Sequence, residues 1–175
     1  AANWGSAADY TSWTFRKASK FFDVQTWTGN GSANRTVSHS LGSDPGMVII
    51  KRFDSTKNWI VHHRSGTSGK YLILNSTDGE ANGSDITATS STNITLSDSF
   101  TVNGSSATYV GYFFAHNNND GGFGPDTDQD VIKCGSYTGN GSSSSGPDIN
   151  LGFEPQWLMI KRTDSSGGGH CWRIF

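Results

Sequence analysis

No run of about 18 apolar residues occurs in this chain, so no segment reads as a membrane-spanning helix. Basic charge is not in excess either: 13 Lys and Arg stand against 15 Asp and Glu, and that balance gives no electrostatic footprint for nucleic acid. Apolar residues make up only 33% of the 175 positions, which argues against one large interior. The 12% of aromatic residues, gathered in short clusters, instead predict thin, aromatic-rich layers in one or two domains. Cysteine is scarce: Cys134 and Cys171 allow one bridge without demanding it, and a buried pair of free thiols is the favoured reading. The opening AANWGSAADY has no initiating Met, basic n-region or apolar h-region, so it does not read as a signal peptide.

What the chain does have is a stretch that occurs twice. Residues 41–55 (LGSDPGMVIIKRFDS) and 151–165 (LGFEPQWLMIKRTDS) agree at Leu, Gly, Pro, Ile, Lys, Arg, Asp and Ser in one ungapped register. Trp27-Thr28-Gly29-Asn30-Gly31-Ser32 lies against Tyr137-Thr138-Gly139-Asn140-Gly141-Ser142 at the same 110-residue offset. Self-similarity at a fixed period points to pieces of a tandem array.

The aromatic runs YTSWTF (10–15) and YVGYFF (109–114) share a spacing and each precedes a TGNG turn, so both read as the closing strand of a unit. This divides the chain into the end of a preceding repeat (1–20), a complete repeat (21–115), an Asp/Asn/Gly-rich loop (116–130) and the first half of a further repeat (131–175). Within the complete unit the segments FDVQTWT, TVSHSL, MVIIKRF, NWIVHHR, KYLILNS, DITATS, NITLSD, SFTVNG and ATYVGYFFA are separated by Gly, Asn, Asp and Ser, and none has helical periodicity. The expected class is therefore all-β, with tandem antiparallel β-sandwich repeats of jelly-roll-like type. Alternation places Trp59, Val61 and His63 on one face of their strand and Ile60 and His62 on the other. Residues 47–50 are apolar on both faces, as a central strand covered on each side would be.

Catalytic signatures are missing. Residues 66–70 (GTSGK) lack the phosphate-loop spacing, no G-x-S-x-G elbow is present, and no pair of carboxylates stands out from the loop aspartates. Adjacent strand residues such as His62 and His63 point to opposite faces and do not readily share a metal. Asp120, Asp126, Asp128 and Asp130 lie in a Gly-containing loop and are the candidate calcium ligands, although the spacing is not that of an EF-hand. Asx turns in a solvated loop account for the same residues. Trp27 and Tyr137, each beside a TGNG turn, are candidate sugar-stacking rings with Asn30 and Asn140 as amide partners, but they serve equally as strand-end anchors in a core. Arg64, Lys70 and Asn117 to Asn119 are further candidate surface contacts. Seven Asn-X-Ser/Thr sequons, at Asn30, Asn34, Asn75, Asn82, Asn93, Asn103 and Asn140, read as turn chemistry rather than glycosylation sites.

The aromatic closing strand, the TGNG turn, LGxxPxxxxIKRxDS, the W-x-V/I-x-H strand (Trp59 to His63) and YLxLNST (Tyr71 to Thr77) together resemble a repeated domain of unknown function. That domain occurs in tail-fibre and tail-associated proteins of bacteriophages, especially those of marine cyanobacteria. The resemblance implies a non-enzymatic virion component in host attachment, extracellular on the particle and oligomeric as a trimer or fibre. Other virion proteins, and a host surface glycan, would be its partners. It assigns no catalytic residue and no cofactor. A carbohydrate-binding module of a secreted protein, a capsid decoration protein or a strand-exchanged fibre subunit are the alternatives.

Overall fold

The β-branched and aromatic runs between turn residues become strands in a computed structural model that describes residues 12–117, 131–167 and 169–175. All described regular structure is β and every strand pairing is antiparallel; no helix occurs among the described residues. Among the described residues eleven strands form: β1 (Phe22–Thr28), β2 (Arg35–Ser38), β3 (Met47–Arg52), β4 (Trp59–His63), β5 (Lys70–Ile73), β6 (Ala81–Asn82), β7 (Ile86–Thr89), β8 (Asn93–Leu96), β9 (Thr108–Phe114), β10 (Met159–Ile160) and β11 (Arg173–Ile174). The first six-stranded sheet has the order β1-β9-β3-β4-β5-β6, and a second has the order β2-β8-β7. Strand β9 thus lies between β1 and β3, with Val24↔Tyr112 on one side and Ile49↔Tyr112 on the other.

Strand alternation sorts the large sheet's side chains into two cores. Trp27, Val48, Ile50, Ile60, Tyr109 and Phe113 face the three-stranded sheet and meet Val37, Ile94 and Leu96 from it. Phe22, Met47, Ile49, Val61, Leu72 and Phe114 form the opposite, outer face. β3 is therefore apolar on both sides because both sides are covered, and Trp59 and Val61 share the outer face while Ile60 turns inward. Gly111, on the inner face of β9, leaves room for the Trp27 and Phe113 rings: a Cβ there would stand 2.9 Å from each.

One expected strand of the complete unit is not formed and one unexpected strand is. Residues 99–104 (SFTVNG) form a turn, in which Val102 N–H and Asn103 N–H both donate to Ser99 O at 3.1 and 2.7 Å. A strand also appears at Ala81–Asn82, where no apolar run announces one; it pairs Tyr71 with Ala81 on β5. Of the closing strand expected at residues 10–15, the described residues 12–15 are irregular, while Tyr10 and Thr11 lie outside the described residues.

The open edge at β1 is fastened by a buried carboxylate. Asp23, fully buried, accepts hydrogen bonds from Ser40 N–H (2.8 Å), Ser40 Oγ–H (3.0 Å) and Gln25 Nε2–H (2.8 Å), and pairs with Lys17 at 2.6 Å. Burial alone would raise its pKa, but the bonds from Lys17, Gln25 and Ser40 outweigh it and hold the carboxyl at about 2, against an ordinary 3.8. A depressed native pKa means stability that is present above the unfolded value and lost as pH falls toward 2. Asp23→Asn should therefore cost about 2 kcal/mol at pH 7 and flatten the acid limb of a stability–pH curve between about pH 5 and 2. Urea titrations across that range check it.

The second copy of the motif folds in part as the first does. β10 and β11 pair Met159↔Ile174 and Ile160↔Arg173, and the hairpin extends through Leu158 and Phe175, which exchange backbone hydrogen bonds at 3.1 and 2.9 Å. The same sequence positions in the first copy are Ile49↔Val61, Ile50↔Ile60 and Val48↔His62. Lys51 donates to Lys57 O and Lys161 to His170 O, the matching carbonyl, and Arg52–Asp54 and Arg162–Asp164 form the same ion pair at 2.6 and 2.7 Å. Even the turns agree: Ser32 N–H donates to Asn30 Oδ1 and Ser142 N–H to Asn140 Oδ1, both at 3.0 Å. Upstream the copies part, because residues 131–137 form no strand. In the first copy that strand is held by β9, and no described segment takes the place of β9 alongside residues 131–137.

Candidate binding cleft and the placement of the candidate residues

The second copy sits on the outer face of the large sheet. Ile132, Cys134, Met159 and Trp172 pack into the outer core, and these occupy the positions that Phe22, Val24, Ile49 and Trp59 hold in the first copy. Outer face thus meets outer face. Trp172 Nε1–H donates to Ile73 O at 3.0 Å, Glu80 N–H to Thr163 O at 2.8 Å, and Lys161 Nζ to Thr77 O at 3.0 Å, which ties the hairpin to β5 and the loop after it.

Where the second copy does not reach, the outer face opens into a cleft of about 560 Å³ lined by Trp13, Phe15, Phe22, Trp59, Tyr112 and Phe114 together with Thr14, Val24, Ile49 and Leu74. Its floor comes from β1, β9, β3 and β4; its rim is the irregular segment before β1. Trp59 and Tyr112 are parallel, 6.3 Å between centroids and 23° between planes, and Trp13 is 50% exposed. Lys51 Nζ lies 6.0 Å from the Trp59 ring centroid but is spent on Ser55 O and Lys57 O at 3.1 and 2.6 Å. Among the described residues the lining is aromatic and aliphatic, with the Thr14 hydroxyl, the Tyr112 phenol and the Trp13 and Trp59 indoles as its polar side-chain groups. Such a surface can bind a ligand by stacking and burial.

The residues singled out in the sequence fall elsewhere. Trp27 is 8% exposed, stacked on Tyr109 at 5.7 Å and 16°, with Nε1–H donating to Val102 O at 3.0 Å, so it presents no open ring to a ligand. It is an anchor of the inner core. Asn30 is a turn residue bonded to Asn103, whose Nδ2–H donates to Asn30 Oδ1 at 3.0 Å. Tyr137 is 49% exposed and Asn140 closes its own turn, donating to Ser145 O at 2.7 Å. Arg64 is exposed, its backbone N–H bonded to Gly46 O at 2.9 Å. Lys70 begins β5 and Asn117 is buried, whereas Asn118, Asn119 and the candidate calcium ligands Asp120, Asp126, Asp128 and Asp130 lie outside the described residues. No group of three or more His, Cys, Asp or Glu that could hold a metal occurs among the described residues.

His62 and His63 have their pKa values lowered by burial, His63 further by His62, His116 and Arg64 nearby, so both stay neutral at pH 7. Cys134 and Cys171 are free thiols, Cys134 partly buried and Cys171 exposed, which corrects the expectation of a buried pair. Burial pushes the Cys134 thiol up to about 11, while its Sγ–H rests 3.7 Å from Ala115 O. In the folded protein at pH 8, a thiol reagent should label one cysteine, Cys171, within minutes and reach the second only on denaturation.

Residues 5–175 match a protein family described as a domain of unknown function, DUF7483. The chain belongs to this family. No curated protein and no solved structure matches the DUF7483 chain. No helix among its described residues is long and apolar enough to cross a membrane.

Proposed function

We propose that this DUF7483 chain is a structural and adhesive module of a virion, a stretch of tandem antiparallel β-sandwich repeats in a phage tail-fibre or tail-associated protein facing the host surface. The observation that supports this most is the reuse of one hairpin: three consecutive backbone pairs, a lysine cap and an Arg–Asp pair recur at matching positions in residues 47–63 and 157–175. Elongated attachment proteins are built by stacking such units, and many weak contacts then add through multivalency. Mass spectrometry of the intact source protein with peptide mapping of purified particles tests it. The expected result is a protein in tail-like copy number with further TGNG units; absence of its peptides from particles would sink the proposal.

A second reading, a carbohydrate-binding module, is favoured by the aromatic cleft, where Trp59, Tyr112 and half-exposed Trp13 offer ring faces of the kind that stack on sugars. Titration with mono- and oligosaccharides, followed by tryptophan fluorescence, should then show millimolar binding that Trp59→Ala abolishes. A response unchanged by that substitution would remove the cleft from consideration.

A further inference from the structure

We propose that Asn140–Gly141 is a site of spontaneous covalent modification, at which the Gly141 backbone nitrogen closes on the Asn140 side-chain amide and converts it to aspartate and isoaspartate.

Four Asn-Gly-Ser steps occur in the chain, at Asn30, Asn82, Asn103 and Asn140. By sequence they are equivalent, because glycine after asparagine leaves the attacking nitrogen unshielded by a side chain at each of them. The structure separates them by what each glycine N–H is bonded to. Gly31 N–H donates to Asn103 O at 2.8 Å, Gly83 N–H to Gly69 O at 3.0 Å, and Gly104 N–H to the Tyr109 hydroxyl at 2.8 Å. A nitrogen so engaged must break that bond before it can turn toward its own asparagine, and Asn103 is fully buried besides. Among the described residues Gly141 N–H has no acceptor, and both Asn140 and Gly141 are exposed.

The two TGNG turns isolate the cause. Each asparagine accepts at Oδ1 from the serine N–H two residues on, Ser32 or Ser142, both at 3.0 Å. That donor draws charge from the Cγ carbonyl and stabilises the oxyanion formed on attack. The electrophile is thus prepared alike in both copies, whereas the nucleophile is held in the first and unheld in the second. The other ties of the second turn are short-range: Asn140 Nδ2–H donates to Ser145 O at 2.7 Å, and Ser144 and Ser145 N–H to Ser142 Oγ at 3.3 and 3.0 Å. Local bonds at an exposed surface open at little cost.

The step balances with water as the only co-reactant. Gly141 N–H loses its proton to water and the nitrogen bonds to Asn140 Cγ; the Cγ–Nδ2 bond breaks, and ammonia leaves with a proton returned by water, which closes a succinimide. Water then adds at one of the two ring carbonyls, giving aspartate or, with the main chain rerouted through the side chain, isoaspartate. Either product replaces a neutral amide by a carboxylate, so the formal charge goes from −2 to −3, and it removes the donor to Ser145 O.

The test incubates the full-length chain at pH 8, folded and in urea, and maps its peptides by mass spectrometry with fragmentation that tells isoaspartate from aspartate. In the folded chain Asn140 should convert about tenfold or more faster than Asn30, Asn82 or Asn103, and in urea the four rates should converge. Anion exchange should show a new acidic species that elutes with Asn140→Asp, forms more slowly at pH 6 because the nitrogen attacks deprotonated, and is missing from Asn140→Ser. Conversion of any other Asn–Gly step at the Asn140 rate in the folded chain, or an Asn140 that keeps its amide, would overturn the proposal.

Discussion

Trp27→Ala should destabilise the domain by about 3–5 kcal/mol, the largest loss expected for any single truncation in the inner core. The ring spans the gap between β1 and the turn after β8. It stacks on Tyr109, its cross-strand partner, and its Nε1–H satisfies the buried Val102 carbonyl. Truncation removes aromatic burial, leaves a cavity beside Gly111, and strands that carbonyl. Urea unfolding monitored by far-ultraviolet circular dichroism reads the loss. Tyr137→Ala, at the matching position of the second copy but half exposed, should change stability by less than about 0.5 kcal/mol.

Asn103→Ala is expected to cost about 2–4 kcal/mol, because one fully buried amide ties three segments together. Its Nδ2–H groups face Asn30 Oδ1 (3.0 Å), Ser32 O (2.8 Å) and Ser97 O (3.2 Å), and its Oδ1 accepts from Asn30 N–H at 3.1 Å. Its backbone carbonyl also receives Gly31 N–H at 2.8 Å. The TGNG turn of the first copy is thus clasped by the loop before β9, and alanine keeps the main-chain bond to Gly31 but leaves the Asn30, Ser32 and Ser97 groups to find water. Asn140→Ala, in the matching but solvent-exposed turn, should lie within about 0.5 kcal/mol of wild type. Amide exchange at Asn30, whose N–H loses its acceptor, should accelerate in Asn103→Ala alone. Equal effects of the two asparagines would contradict this division of labour.

These contrasts show what the sequence made legible. The strands of residues 22–114 follow from β-branched and aromatic runs punctuated by turn residues, and period-two alternation correctly separates Ile60 from Trp59 and Val61. The sequence identity of the two copies also carried into geometry wherever the bonds are local: the Asx turns, the lysine caps and the hairpin. It failed where the structure depends on a partner strand from far along the chain. Residues 131–137 repeat the pattern of β1 yet stay irregular without a β9 beside them, and residues 99–104 look like a strand but turn to place Asn103. The same logic explains the site. Trp27 and Tyr137 drew attention by standing beside polar turns, but burial of a ring is decided by the layer over it, and only the first copy has that layer. The cleft was detectable only indirectly, in the second aromatic set of β9, where Tyr112 and Phe114 alternate with the inward Tyr109 and Phe113 and imply a second apolar face. Nothing in the order of residues placed Trp13 at its rim.

Residues 157–175 rebuild the first copy's hairpin and seat it, outer face to outer face, on the large sheet. Amide and indole hydrogen exchange by NMR tests this most directly. Exchange should be slow at Leu158 and Phe175 N–H and at Trp172 Nε1–H, with nuclear Overhauser contacts from the Trp172 ring to residues of β5. Coil-like exchange throughout residues 131–175, with no contacts to the sheet, would contradict it.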